Sequence, residues 1–242
     1  MVGMRLKRIL SLVRRCVQDY DMIQPDDRIA VGVSGGKDSL ALLYALAQMR
    51  RFYPNPYGVE AITLDMGFGG CDFSPIQSLC DELDVRYTVV KTDIAEVVFG
   101  VRKEDNPCSL CAKMRRGALH DAALSLDCDK VALGHHYDDV IETFFLSLFY
   151  EGRVNCFAPV TYLDRKRITV LRPLLYVPEA MVTGVKNRLG LPVVKNPCPA
   201  DGNTKRQYIK ELLNHLEKDE PGLRGRLFGA VQRSDIPGWR IE

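Results

Sequence analysis

Residues Arg28 to Met49, RIAVGV-SGGKDS-LALLYALAQM, decide the fold. A β-branched run ends in glycine and serine, and Leu40 to Met49 follows as an apolar helix; this reads as strand, loop and helix. The unit recurs downstream. Val59 to Leu64 reads as a second strand, Ile76 to Leu83 as a helix and Val85 to Val90 as a third strand. Ile94 to Phe99 reads as a short helix, followed by a cysteine-bearing loop, a helix over Met114 to Leu126 and a fourth strand over Lys130 to Leu133. After an apolar helix from Val140 to Tyr150 come a fifth strand, Ile168 to Leu171, and a helix, Glu179 to Leu189. Strands alternating with helices imply a doubly wound, parallel five-stranded α/β sheet, with ligands outside the carboxyl ends of the strands.

The flanks are different in kind. Met1 to Arg15 is basic and amphipathic, with Leu6, Ile9, Leu10 and Val13 at helical spacing, and residues 1–27 read as an N-terminal helix docked on a core of residues 28–195. Pro192, Pro197, Pro199 and Gly202 break the pattern before helical stretches near Gln207 to Leu216 and Leu223 to Val231, so residues 196–242 read as a small helical C-terminal appendage. No apolar run approaches the ~20 residues that cross a bilayer, and the N-terminus lacks the apolar core of a signal peptide, so a cytoplasmic protein without a membrane partner is expected.

A glycine turn between a strand and a helix presents backbone N–H groups at a helix N-terminus, and Lys37 adds a positive charge, so Ser34 to Ser39 is an anion site. It is not a Walker loop: only three residues lie between Gly32 and Gly36, and Asp38 follows the lysine where Ser or Thr belongs. An acidic residue beside a phosphate cradle suits Mg²⁺, while Ser34, Ser39 and the amides of Gly35 and Gly36 suit a departing pyrophosphate. Farther on, Asp138 and Glu142 in Gly134-His135-His136-Tyr137-Asp138-Asp139-Val140-Ile141-Glu142-Thr143 fall on one helical face. Acidic residues there hold a metal, orient a nucleotide or only cap the helix.

These two blocks resemble the PP-loop ATPases, whose signature Ser-Gly-Gly-x-Asp-Ser is matched by Ser34 to Ser39, and whose Gly-His-x-x-Asp-Asp-x-x-Glu-Thr block is matched by Gly134 to Thr143. The resemblance implies a nucleotide α-hydrolase-like fold that splits ATP between its α and β phosphates and adenylates a substrate. Lys37 and Asp38 would act on the phosphates; Asp65, Gly134, His135, Asp138 and Asp139 would lie near the nucleotide; Asp38 and Asp139 are the candidate Mg²⁺ carboxylates.

Eight cysteines in a chain without an export signal raise the prior for metal, cluster or sulfur chemistry. Cys108 and Cys111, spaced C-x-x-C ahead of a helix where amide dipoles lower thiol pKa values, are a paired ligand set, and Cys198 in the proline-rich break can add a third thiolate. Zinc, redox and cluster roles are all compatible with that spacing. The wider pattern, with Ala112 to Leu119 after the pair, Leu171-Arg172-Pro173-Leu174, and Cys198 ahead of Arg206-Gln207, is similar to the tRNA 2-thiocytidine synthetase family from about Leu10 to Phe228. That resemblance implies a 4Fe-4S cluster on Cys108, Cys111 and Cys198, with one iron open to sulfur. It also implies adenylation of the C2 carbonyl oxygen of an anticodon-loop cytidine in tRNA, replacement of that oxygen by sulfur, and a cysteine desulfurase as the sulfur source. Relatives often carry a second C-x-x-C where this chain has Cys198 alone. Archaeal and eukaryotic thiouridine relatives usually carry an N-terminal zinc ribbon, and residues 1–27 hold only Cys16.

Cys16, Cys80, Cys128 and Cys156 read as core residues. Cys71 lies after the second strand and can relay a persulfide; His135 and His136 polarise substrate or pack at a helix start. Net charge is only +2, so an RNA surface must be a local patch, drawn from Arg102, Lys103, Lys113, Arg115, Arg116, Arg153, Arg165 to Arg167, Lys205 and Arg206. A homodimer is compatible with the sequence. The rivals are a PP-loop ligase such as tRNA lysidine synthetase, which needs no cluster, and a nucleotide-binding zinc protein without turnover.

Overall fold

The computed structural model describes residues 2–102, 107–194, 198 and 205–241. Lys103, Pro197, Pro199, Gly202 and the expected domain boundary at 195/196 lie outside the described residues. Helix α1 (Val2–Asp19) leads into β1 (Asp27–Gly32), α2 (Lys37–Met49), β2 (Tyr57–Asp65), α3 (Ser74–Glu82) and β3 (Arg86–Lys91). Next come α4 (Pro107–Ser125), β4 (Lys130–Ala132), α5 (Tyr137–Leu146), β5 (Val160–Leu163), β6 (Ile168–Leu171), α6 (Glu179–Leu189), α7 (Lys205–Asp219) and α8 (Leu223–Arg233).

The sheet has six strands in the order β3-β2-β1-β4-β6-β5. Its five parallel strands are those read from the sequence. The sixth, β5, corrects the strand count: it is an antiparallel edge strand, pairing Val160 with Leu171 and Leu163 with Ile168. Four residues around an exposed Tyr162 give too little alternation to announce a strand. Alternation along β1 explains the two covered faces. Ile29 and Val31 join α1 (Ile9, Val13, Val17) and α2 (Leu42, Leu43, Leu46) in the larger core, whereas Ala30 turns to the other face, toward Ala122 and Ala123 of α4.

Three helical expectations change. The segment over Ile94–Phe99 is a π-helical stretch, Glu96–Arg102, and the apolar run to Tyr150 is α5 followed by a π-helical turn, Ser147–Glu151. The third matters for function. The C-x-x-C pair is not in a loop: α4 begins at Pro107, whose fixed φ and missing N–H are well tolerated in a first turn, so Cys108 and Cys111 are helical. At the other end of the chain, Ile209, Leu213, Phe228 and fully buried Trp239 belong to the same core as α2, and the Trp239 indole donates to Phe157 O at 3.0 Å.

Candidate active site at the carboxyl edge of the sheet

The loop after β1 shapes itself. The Ser39 hydroxyl donates to Gly36 O at 2.9 Å and accepts the Ser34 N–H at 3.1 Å. Its one proton being used, the Ser34 hydroxyl, 3.2 Å away, donates to Ser39 Oγ and accepts the Gly36 N–H at 3.3 Å. No side chain caps α2, which leaves its first-turn N–H groups to an anion. Two glycines are required by geometry. Gly35 has φ +81°, a region costly for other residues, and a Cβ on Gly134 would lie 2.9 Å from Asp38 C and Ser39 N. The Gly134 motif therefore sits directly against the phosphate loop.

Lys37 is held by carboxylates. Its ammonium donates to both oxygens of Asp38, at 2.9 and 3.0 Å, and stands 3.1 Å from Glu179 Oε1 at the start of α6. Burial works against the Lys37 charge, but Asp38 and Glu179 outweigh it and raise its pKa. Burial likewise opposes the Glu179 charge, yet Lys210, at 2.7 Å, and Lys37 together hold the Glu179 carboxyl down at about 2. The sequence reading missed Glu179 and Lys210 as parts of the site; a lone Glu opening a helix signals only a favourable dipole contact.

The acidic helix start is also engaged. Asp139 Oδ2 accepts the His136 N–H at 2.9 Å, capping α5, and its other oxygen lies 3.5 Å from Arg206. Asp138 accepts the Glu179 N–H at 2.7 Å and Arg224 Nη1 at 2.7 Å, so it fastens the start of α6 to α5 and α8. Buried Glu142 takes Arg206 at 3.1 Å. Buried His136 places Nε2 3.7 Å from Asp38, while the His135 ring lies tilted against Phe157 at 4.9 Å between ring centroids. Burial, reinforced by Arg172, pushes His135 down to about 4. Asp65 ends β2, where its carboxylate accepts the Gly67 N–H at 3.1 Å, a turn-forming contact.

The thiols divide by exposure. Cys16, Cys80, Cys128 and Cys156 are buried, whereas Cys71, Cys108, Cys111 and Cys198 are not. Because α4 runs back along the sheet, with Leu119 beneath Gly32, its N-terminal cysteines lie at the same carboxyl edge as the phosphate loop. Cys111 lies close enough to Cys108 and Cys198 to feel both charges. Its pKa is raised, first by burial and then by those thiols, although Arg115 opposes the shift; the lowering expected from a helix start is overcome. Val194, four residues before Cys198, donates its N–H to Gly35 O at 3.0 Å. The segment leading to the third thiol is thus bonded to the phosphate loop.

Known proteins match this arrangement. Residues 7–216 fit the model of the PP-loop domain. The tRNA-cytidine(32) 2-sulfurtransferase of Teredinibacter turnerae is 38% identical over 229 residues, covering 94% of this chain and 76% of that protein. The protein of the same name from Geobacter sulfurreducens is 38% identical over 232 residues, covering 95% and 90%. Among solved structures, the U34-tRNA thiolase from Methanococcus maripaludis with its 4Fe-4S cluster superposes with a TM-score of 0.79 at 26% identity, covering 95% of this chain and 78% of that one.

Proposed function

We propose that this chain, which belongs to the PP-loop ATPase family, is an ATP-dependent tRNA-cytidine 2-sulfurtransferase acting through an iron-sulfur cluster. The observation that supports the reading is that Cys108 and Cys111 open α4 at the carboxyl edge of the sheet, with Cys198 within electrostatic reach of Cys111 and Val194 bonded to the phosphate loop. Either half alone fits other chemistries.

The three thiols suit a 4Fe-4S group, because thiolate sulfur is the ligand such a cluster takes and Cys111 lies within electrostatic reach of both Cys108 and Cys198. Cys108, Cys111 and Cys198 would hold the group, which supplies, when bound, an iron without a protein ligand that can carry sulfur.

The remaining work falls to the chain. The first-turn N–H groups of α2 and the Ser34 and Ser39 hydroxyls bind the ATP phosphates, and Lys37 moves from Asp38 and Glu179 onto them. Asp38, released in this way, would be the carboxylate that holds a Mg²⁺, which would neutralise phosphate charge. Asp139 is less available, since it caps α5. The cytosine O2 attacks the α phosphorus and pyrophosphate leaves into the loop. Sulfur at the sulfide level then attacks C2, and AMP departs with the oxygen. A cysteine desulfurase is the proposed origin of the sulfur, with a thiol reductant supplying the two electrons that bring its persulfide sulfur to the sulfide level, and the cytoplasm is the proposed setting; no helix among the described residues is long and apolar enough to cross a membrane.

The test is elemental analysis of protein purified without oxygen. Iron and acid-labile sulfide of about four each per chain, lost in Cys198→Ser, are expected. Zinc in their place, or no metal with unimpaired ATP-to-AMP turnover, would favour a PP-loop ligase.

A further inference from the structure

The π-helical turn after α5 exposes a run of large apolar side chains. Phe149 is 50% exposed, Tyr150 43% and Val154 67%, and Tyr208 adds a ring that is 57% exposed from the first turns of α7. Behind them, Phe145 meets Phe149 edge-on at 5.3 Å, which fixes the base of the patch to α5. The charge of the patch is positive. Lys205 Nζ stands 4.4 Å over the Tyr150 ring, and Tyr208 follows it one turn along α7. Arg153, three residues past Tyr150 in the chain, is exposed, and among the described residues neither Arg153 nor Lys205 pairs with a carboxylate. The nearby Glu151 is engaged by the Ser147 hydroxyl at 3.3 Å.

Exposed rings interleaved with unneutralised cations are what unpaired RNA bases and their phosphates bind. The patch is continuous with the active edge, because Arg206, next to Lys205, bonds Glu142 and lies by Asp139. It is not the reacting centre itself. The ten residues of α5 separate it from Gly134 by about 15 Å.

We propose that Phe149, Tyr150 and Tyr208, with Arg153 and Lys205, form a stacking platform for unpaired nucleotides that flank the reacting base. This rests on the reading of the chain as an RNA-modifying enzyme and adds where the RNA is held. An apolar patch of this kind would also suit a second copy of the chain, but that occupant gives the cations no role.

The experiment measures binding of unmodified tRNA across a salt series, with molar mass by sedimentation. Tyr150→Ala and Tyr150→Leu should each bind about tenfold more weakly than wild type, the loss of one base stack, while Tyr150→Phe, which keeps the ring, should match it. Lys205→Gln should reduce the slope of log affinity against log salt by about 0.7 to 0.9, the loss of one phosphate contact. Wild-type affinity in both Tyr150→Ala and Tyr150→Leu overturns the platform and leaves the enzymatic reading standing. The same affinity with a fall from dimer to monomer assigns the patch to contacts between copies. Wild-type protein that fails to bind tRNA overturns both readings.

Discussion

The phosphate loop and the thiol edge share one end of the sheet but are built differently. Residues 34–39 are contiguous, and their hydroxyls and amides bond to one another. Cys108 and Cys111 ride on α4, while Cys198 comes 87 residues after Cys111 in the chain and four after Val194, whose N–H bonds to Gly35. A self-bonded loop keeps its shape through local changes, so it suits a step common to many substrates. An edge assembled from two segments takes its shape from the rest of the fold. Adenylation and sulfur insertion should therefore be separable by mutation, and separable in one direction only.

The sharpest break is Cys111→Ser. Sulfur insertion into tRNA should fall to background with loss of iron, while ATP-to-AMP turnover persists; equal loss of both activities would show that the regions are not independent. Gly134→Ala attacks the loop from outside by forcing Asp38 and Ser39 away from the new Cβ. Adenylation and thiolation should drop together by about 10²-fold, the scale of an ångström-level misplacement, as measured by pyrophosphate release and nucleoside analysis.

Glu179→Gln probes the frame between the two regions. The Glu179 carboxyl is depressed to about 2, so its stabilising contribution is present above its unfolded value near 4.5 and is lost as pH falls through about 2. Urea titrations should find the variant less stable at neutral pH by about 1 kcal/mol, a figure discounted for solvent screening. The deficit should close below pH 4.5; a deficit independent of pH would deny the ion pairs their role. An effect silent at neutral pH belongs to His135, pushed down to about 4. Between pH 6.5 and 4 the unfolded chain binds a proton that the native one refuses, so stability declines over that window. His135→Asn should flatten that part of the urea-midpoint profile.

What could be read from the sequence follows the same division. Ser34 to Ser39 was legible as a glycine turn between strand and helix because its groups are contiguous, and α6 was read with its observed ends because Pro178 and Gly190 punctuate it. The start of α4 was misread because C-x-x-C resembles a loop ligand pair and masks the helix-opening role of Pro107. Lys210 and Arg224 were out of reach: they meet Glu179 and Asp138 from 31 and 86 residues away, and a surface-like Lys or Arg carries no mark of its partner. Strand β5 was missed as a short edge strand packed on one side.

The central claim, that one sheet edge adenylates a cytidine and then delivers sulfur to it, is tested most directly by a single reaction. Anaerobically prepared protein with its cluster would be incubated with unmodified tRNA, ATP and sulfide, and the digested nucleosides and AMP quantified together. The account predicts 2-thiocytidine and AMP in equal amounts, with no 2-thiocytidine from Cys198→Ser. AMP accumulating without any thiolated nucleoside, while an added amine is incorporated instead, would contradict it.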